Sequence, residues 1–424
     1  MYQVTSRAKH PFALAVFGIL LALPVHAQVL DFVEAQRMAL SAQPAIEAKQ
    51  ATIDASREAA VAARQLPDPK LMAGVTNLPL DGPEAFSVSS EPMTMRMIGI
   101  AQNFPRREKR ELRGQLLELN GVRSASELEY LRRQIARDTG LAWLNVWRES
   151  RVAKLLRAKQ RETEEQIGTL IIALRNARAT TADVVLARVE LETFADRERK
   201  AMGREAAARA ALGRWIGGEH AQALLPETLP AVTVPSMLDR DLLHAVETHP
   251  RLQASATTVE IAEREASLAH LATKPDWSVQ VLYGQRGPAY SNMLTVQFGI
   301  DLPLFQTNRQ DRVIRSRLAL ADEARALRED MLRQMRADLA GLYALWESNR
   351  ERAAAFRAKV LPEARLRLDA ASVVYRSGKG SLYEVLLARR VLLDLEIGAL
   401  EREVEAAGDA VRIAFYTGHH GDAR

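Results

Sequence analysis

Methionine is the residue type whose spacing most invites a chemical interpretation in this chain of 424 residues, which contains no cysteine. Met93, Met95 and Met97 alternate along one predicted strand, and alternation places their side chains on the same face. Thioether sulfur is a ligand that suits Cu(I) and Ag(I), so Met95 and Met97 are candidate contacts for a soft metal. The alternative is that these side chains face lipid and bind no metal.

Histidine spacing and known catalytic motifs add no further site. Of the eight histidines, His244 with His249 and His419 with His420 form close pairs. Neither pair has the three- or four-residue helical spacing of a metal site, so surface histidines are expected. No glycine-rich phosphate loop, nucleophile elbow or His-Glu-x-x-His motif occurs in the sequence. The sequence therefore predicts neither an enzyme nor a resident cofactor.

The charge distribution argues against a nucleic-acid partner. The formal net charge is only +5, and Arg and Glu alternate along the chain instead of forming a basic patch. Solvated helix faces explain this pattern. The absence of cysteine excludes disulfides, zinc–cysteine sites and thiol catalysis.

Two very long predicted helices must position the strands and turns of the chain. Between Pro105 and Pro226 the chain contains no proline, and apolar residues recur at three- and four-residue steps over 106–178. The same pattern returns over 309–376, interrupted only by Pro362. At 1.5 Å per residue the first helix would be roughly 110 Å long, several times the diameter of a small domain. This length predicts a coiled coil or a helical barrel.

The chain consists of two similar halves. Pro69 matches Pro275 at an offset of 206, and Gly99 matches Gly299 at an offset of 200, because the first loop is longer by six residues. Repeat 1, residues 28–224, is predicted to contain a helix, strands 70–80 and 93–104, a long helix 106–178 and a half helix 183–217. A connector, 225–240, leads to repeat 2, residues 241–424, with a helix, strands 276–284 and 293–304, a long helix 309–376 and a half helix 382–417.

Residues 1–27 have the features of a secretory signal peptide. Arg7 and Lys9 precede the apolar run Phe12–Leu23, and a small-residue cleavage site ends at Ala27. About a dozen apolar residues are too few to span a bilayer. The sequence therefore predicts an exported protein.

The predicted strands of repeat 2 alternate between apolar and polar residues. A soluble, half-buried sheet gives the same signature, but in an exported chain strands of about ten residues favour a membrane barrel. The predicted lipid-facing residues are Trp277, Val279, Val281, Val296, Phe298 and Ile300. Because even the smallest such barrels need about eight strands, a chain with four should oligomerise, and three copies would supply twelve.

These features together resemble the TolC family of outer-membrane efflux ducts. The resemblance is carried by the junction Leu66-Pro-Asp-Pro69 and by the turn Tyr375-Arg-Ser-Gly378 followed by Glu384-Val-Leu386. The segments Leu66–Leu71, Asn77–Pro79 and Phe104–Arg110 are most similar to members of the CzcC and CusC kind, which serve heavy-metal efflux pumps. The resemblance covers essentially the whole mature chain.

The resemblance implies a mainly α fold with a small transmembrane β part. Three copies would form a 12-stranded outer-membrane barrel continued by a long periplasmic α-helical barrel, which docks on a periplasmic adaptor and an inner-membrane resistance-nodulation-division pump. The implied function is export of heavy-metal cations, of the copper and silver or the cobalt, zinc and cadmium type. A duct for organic compounds and a periplasmic coiled-coil adaptor are the alternatives, although an adaptor would carry a single helical hairpin.

The resemblance also places a gate at the turns 176–183 and 377–384. The predicted gate residues are Asp183, Tyr375, Gly378, Lys379 and Glu384. Glu384 takes the place of a family gate aspartate, Tyr375 that of a gate tyrosine, and Asp183 that of the acid in the first repeat. An arginine that locks the family's closed state falls on Gly380, with Lys379 as a possible replacement. A ring of these carboxylates from three protomers would bind or pass cations.

Overall fold

The computed structural model describes residues 29–234 and 244–418. The predicted signal peptide and residues 235–240 of the predicted connector lie outside this part of the chain. Repeat 1 contains α1 (Phe32–Ala42), α2 (Pro44–Arg64), β1 (Lys70–Thr76), β2 (Met95–Phe104), α3 (Arg107–Arg175) and α4 (Thr181–Ile216). Repeat 2 contains α5 (Pro250–Leu271), β3 (Trp277–Gln285), β4 (Met293–Ile300), α6 (Gln310–Ala355), α7 (Leu361–Arg376) and α8 (Leu382–Thr417).

The long helix of repeat 1 is continuous, whereas that of repeat 2 is divided. Helix α3 has 69 residues, which makes it roughly 100 Å long. In repeat 2 a π-helical segment, Phe356–Val360, separates α6 from α7. Pro362, in the first turn of α7, has no N–H to donate and so permits this wider turn. Within residues 29–234 and 244–418, no helix combines the length and apolar character needed to cross a membrane.

The strands form one antiparallel sheet in the order β1-β2-β3-β4, so that β1 and β4 are its open edges. Three strands are shorter than predicted, and because β2 begins at Met95, Met93 lies outside the strand on which it was predicted. Strand β1 ends at Thr76 because Asn77 has a positive φ of 57°, and its carbonyl accepts a hydrogen bond from Thr94 Oγ1 at 2.8 Å. Strand β4 ends at Ile300 because residues 302–304 have no neighbouring strand beyond that point to pair with.

One surface of the sheet, which we call the apolar face, carries large hydrophobic side chains. Its apolar members are Leu71, Ala73, Val75, Ile98, Ile100, Phe104, Trp277, Val279, Val281, Tyr283, Leu294, Val296, Phe298 and Ile300, and the register also places Arg96, Gln102 and Gln285 on this side. Most of these side chains are exposed, and Phe298 and Leu71 reach 76% and 74% of full exposure. All six residues predicted to face lipid lie on this face.

The opposite surface, which we call the methionine face, carries small, polar and thioether side chains. It consists of Lys70, Met72, Gly74, Thr76, Met95, Met97, Gly99, Ala101, Asn103, Ser278, Gln280, Leu282, Gly284, Met293, Thr295, Gln297 and Gly299. The pairing register decides this grouping, since directly opposed residues of an antiparallel sheet point to the same side.

An ion pair between a buried lysine and a partly exposed aspartate joins the sheet to the start of α3. Lys109, which is only 7% exposed, donates from Nζ to Asp276 Oδ2 at 2.9 Å and to the Lys274 carbonyl at 2.8 Å. The other oxygen of Asp276 accepts a hydrogen bond from the Arg106 N–H at 3.0 Å. Helix α3 has no side-chain cap of its own, so Asp276 from repeat 2 satisfies an N–H at its beginning.

The main hydrophobic core lies halfway along the helices. Trp143 of α3 is fully buried, contacts Phe32 edge-to-face at 5.6 Å, and donates its indole N–H to the Leu30 carbonyl at 3.1 Å. Trp147 donates in the same way to the Pro226 carbonyl at 3.1 Å. The beginning of the connector therefore packs across α3 at this level.

Candidate functional site

The two predicted gate turns lie side by side at one end of the helices. The α3–α4 turn and the α7–α8 turn share one apolar cluster, formed by Leu170, Val184, Ala187, Leu382 and Leu386. A cleft of about 860 Å³ lies between the turns and is lined by residues from both, including Asp183 and Tyr375. The structure therefore brings the acid of the first repeat and the tyrosine of the second into one site.

Asp183 is engaged in its own turn. Its Oδ2 atom accepts hydrogen bonds from the Thr180 N–H at 2.9 Å and from the Thr180 hydroxyl at 2.7 Å. The Asp183 N–H donates in return to Thr180 Oγ1 at 3.1 Å, which completes a capping box at the start of α4. This carboxylate stabilises the turn, so fewer of its lone pairs remain for a cation.

Glu384 occupies the corresponding first turn of α8 but is free of such bonds. Its backbone N–H donates to Ser381 Oγ at 3.4 Å, and its side chain is exposed. Within the part of the chain that the structure describes, the Glu384 carboxylate makes no hydrogen bond or ion pair. It is the more available of the two predicted gate acids.

Tyr375 is half-buried against the shared apolar cluster. Burial, and then the negative charge of Asp183, raise the pKa of the Tyr375 phenol above its usual value. The phenol is therefore neutral at physiological pH and can act as a hydrogen-bond donor in the cleft.

The backbone conformation and close packing of the second turn favour glycine over a residue with a side chain. Gly378 has a φ of 74°, which a glycine adopts without strain. A Cβ at Gly380 would lie 3.0 Å from Val374 Cγ1 and 3.3 Å from the Tyr375 N atom, so a larger residue would require the turn to shift. Lys379 is exposed and forms no ion pair with any described residue. Its role as a replacement lock stays a prediction.

Sequence reasoning missed the polar contacts that join the two helical hairpins behind the turns. Glu190 of α4 is only 2% exposed and forms an ion pair with Arg390 of α8. Further contacts link Gln166 Oε1 to Arg389 at 2.5 Å and Asp394 to Arg197 at 2.7 Å. The only available signal was that Glu190 and Arg390 follow equivalent turns, and the many Arg and Glu residues of the chain conceal it.

The candidate methionines lie on the side of the sheet opposite to the predicted lipid-facing residues. Met95 and Met97 share the methionine face with Met72 and Met293, which the sequence interpretation did not include. A Cβ at Gly284 would lie 3.1 Å from Met95 Sδ, so Met95 covers this glycine. Among described residues, no group of three or more His, Cys, Asp or Glu side chains could hold a metal.

The expectation of surface histidines was wrong for His249. Its ring is fully buried and lies between the rings of Tyr130, Phe415 and Tyr416, with centroid distances of 5.1–5.8 Å. Its Nδ1 atom accepts a hydrogen bond from the Arg251 N–H at 3.3 Å and so caps α5. Burial, and then the positive charge of Arg133, lower the pKa of His249 to about 4. The ring is thus a neutral structural element.

Comparison with protein-family models and with curated proteins finds no match. Comparison with solved structures finds several similar chains. A membrane protein from Pseudomonas aeruginosa is 18% identical with a TM-score of 0.78, covering 92% of this chain and 90% of that one. CusC is 16% identical with a TM-score of 0.76 and 91% coverage of both chains. The CmeC outer membrane channel of Campylobacter jejuni is 12% identical with a TM-score of 0.76, covering 93% of this chain and 87% of that one.

These similarities extend over nearly the whole of each chain. More than 90% of this chain is covered in each case, and the TM-scores are 0.76–0.78. The chain therefore has the fold of the TolC-type outer-membrane channels that its sequence resembles.

Proposed function

We propose that this protein is the outer-membrane duct of a tripartite efflux system and works as a homotrimer. Three copies of the sheet form a twelve-stranded barrel in the outer membrane, and the long helices form a tunnel in the periplasm. A periplasmic adaptor and an inner-membrane resistance-nodulation-division pump deliver the substrate and the energy. The observation that carries this proposal is the apolar face of the sheet.

The apolar face is too large and too exposed for contact with water. Soluble monomers rarely expose contiguous apolar patches of more than a few hundred Å². Here large side chains such as Leu294 and Phe298 cover most of one sheet surface, while the methionine face behind them carries mainly small, polar and thioether side chains. Strands that alternate in this way suit lipid on one side and a water-filled lumen on the other.

A second copy of the chain fits the exposed apolar stripe of α6. Leu320 and Leu327 lie one heptad apart on this helix, and Leu327 is 59% exposed. With Ala324 between them, they line an open groove of about 640 Å³ between α5 and α6. Knobs from a neighbouring helix would fill such a groove, as they do in helical barrels. This surface supports side-by-side association of protomers below the sheet.

We infer that the cargo is a heavy-metal cation. The inference rests on the resemblance to the CzcC and CusC kind, on the acids at the turns, and on the methionine face that would line the barrel. Soft thioethers favour Cu(I) and Ag(I) over harder cations. Organic compounds are the alternative cargo.

The proposed function is tested by deleting the gene and restoring it. We expect the deletion strain to be sensitive to copper, silver, cobalt, zinc or cadmium, and the restored protein to fractionate with the outer membrane as a heat-sensitive trimer. Sensitivity to organic compounds alone would show that the protein exports organic compounds and not metal cations. Recovery of a soluble periplasmic monomer would exclude the duct.

At the gate, we expect Glu384→Gln to weaken block of the duct by divalent cations. Three exposed Glu384 carboxylates would converge on a narrow periplasmic mouth, where their combined field attracts divalent cations. In planar-bilayer recordings with cations added from the periplasmic side, the concentration for half block should rise by about tenfold, equivalent to about 1.4 kcal/mol. Adding Asp183→Asn should abolish the remaining block and weaken cation preference.

Glu363→Gln is the matched control for the gate, because it removes an exposed acid from α7, away from the turn. It should leave the block unchanged. If the Glu384→Gln, Asp183→Asn protein is blocked as strongly as the native one, the acidic ring lies elsewhere.

A further inference from the structure

If the protein forms the trimer proposed above, the open edges of the sheet determine how one copy pairs with the next. Within residues 29–234 and 244–418, strand β1 pairs only with β2 and β4 pairs only with β3, so each edge presents unpaired N–H and C=O groups. Within a membrane such groups must be paired, because no water is available to them. Each β4 edge therefore needs the β1 edge of another copy.

The two hairpins of the protomer have the same pairing register when their residues are aligned by the sequence repeat. Leu71 pairs with Ile100 in the hairpin of repeat 1. The offsets of 206 for the first strand and 200 for the second carry these residues onto Trp277 and Ile300, which pair in the hairpin of repeat 2. The offsets found in the sequence thus hold for the hydrogen-bond register of both hairpins.

The contact between the two repeats is the template for the contact between copies. Strand β2 pairs with β3 so that Ile100 lies opposite Val281. The equivalent of β2 in repeat 2 is β4, and the equivalent of β3 in repeat 1 is β1. Applying the same offsets, we propose that β4 pairs antiparallel with β1 of a second copy in the register that places Ile300 opposite Val75.

This register places apolar side chains of one copy opposite apolar side chains of the next. Ile300 and Val75 both belong to the apolar face and are both exposed in the single protomer. The next pairs would be Leu302 with Ala73 and Leu304 with Leu71, so exposed apolar side chains meet each other. A slip by one residue would turn apolar side chains toward the methionine face of the neighbour.

Pro303 does not obstruct the proposed pairing. The Asp301 N–H points toward β3, since it donates to the Asp276 carbonyl at 2.9 Å. N–H groups two residues apart in a strand point the same way, so position 303 would also point toward β3. In the single protomer the Leu304 N–H donates to the Leu302 carbonyl at 2.9 Å. In an extended strand the N–H groups of Leu302 and Leu304 would face the open edge instead. Residues 302–304, which are not strand in the single protomer, would then extend β4 in the trimer.

The register also sets the size of the barrel. Lys70 pairs with Ala101, Ala101 with Gln280, and Gln280 with Gln297. In the proposed register position 297 lies level with position 78 of the next copy, just beyond the end of β1 at Thr76, so the register advances by eight residues per protomer, from 70 to 78. With twelve strands this shear gives a strand tilt of about 54° and a backbone diameter of about 30 Å. The twelve residues 293–304 would then rise about 23 Å, close to the height of an outer-membrane apolar band.

Cysteine pairs test the register directly, because the native chain contains no cysteine. The Val75→Cys, Ile300→Cys protein should form disulfides between copies on mild oxidation, giving covalent trimers on a non-reducing gel. Directly opposed Cα atoms lie within reach of a disulfide. Ala73→Cys or Asn77→Cys combined with Ile300→Cys places the sulfurs two residues out of register, and these pairs should cross-link at least about tenfold less, because their Cα atoms are about 7–8 Å apart.

Ile100→Cys with Val281→Cys is the matched control, since this pair has the template geometry within one protomer. It should oxidise without linking copies. If a trimer forms but the Ala73 or Asn77 pair cross-links best, or none of the three pairs does, the register is overturned while the trimer stands. If the protein is a monomer and no pair links copies, the trimer itself is overturned as well.

Discussion

Replacing Phe298 with Arg should remove most of the assembled trimer from the outer membrane. Phe298 lies on the apolar face, near the middle of the segment 293–304 formed by β4 and its proposed extension, and is among the most exposed side chains of that face. An arginine facing lipid near the bilayer midplane costs about 2–4 kcal/mol in each protomer. The measurement is the amount of heat-sensitive trimer in purified outer membranes, compared at equal expression.

The neighbouring residue provides the control for this substitution. Gln297 is also exposed, but it lies on the methionine face. The change Gln297→Arg adds the same side chain to the same strand on the opposite side, and assembly should stay close to native. Equal loss of trimer in both variants would show that the assignment of the faces is wrong.

Replacing Asp276 with Ala should strongly destabilise the junction between the sheet and α3. The substitution leaves the buried Lys109 ammonium without its counter-ion and leaves the Arg106 N–H without its acceptor. Breaking a fully buried ion pair by removing one partner costs about 3–5 kcal/mol, and because the Asp276 side chain is 26% exposed we expect a loss of about 2–3 kcal/mol here. We expect this loss in the free energy of unfolding, measured by denaturant titration in detergent.

Two further variants separate the ion pair from general damage at this position. Asp301→Ala removes an exposed carboxylate next to the same junction and should change stability by less than about 0.5 kcal/mol. Adding Lys109→Met to Asp276→Ala removes the unpaired charge and should restore part of the lost stability. If the double variant is as unstable as Asp276→Ala alone, Lys109 does not carry the effect.

The sequence predicted the alternation of the strands and their relation between repeats. The offsets that align Pro69 with Pro275 and Gly99 with Gly299 depend only on local residue types, and the register of both hairpins obeys them. The face of Met95 could not be decided from its own strand, because methionine is apolar enough for lipid. The register with Gly284 and Thr76 decided it.

Contacts between distant segments were not predictable in the same way. Asp276 pairs with Lys109 across 167 positions, and Glu190 pairs with Arg390 across 200. The chain has 58 basic and 53 acidic side chains, so no single pair is distinguished by charge alone. His249 was placed on the surface because its aromatic neighbours come from α3 and α8, far away in the sequence.

The π-helical segment Phe356–Val360 changes the angular phase along the long helix of repeat 2. Helix α3 runs for 69 residues without such a segment, whereas α6, the π segment and α7 together span 67 residues. A π turn contains one residue more than an α turn. The side-chain pattern of α7 is therefore set back by one residue relative to a straight continuation of α6, so the two helices present differently phased residues to α8, which both of them contact.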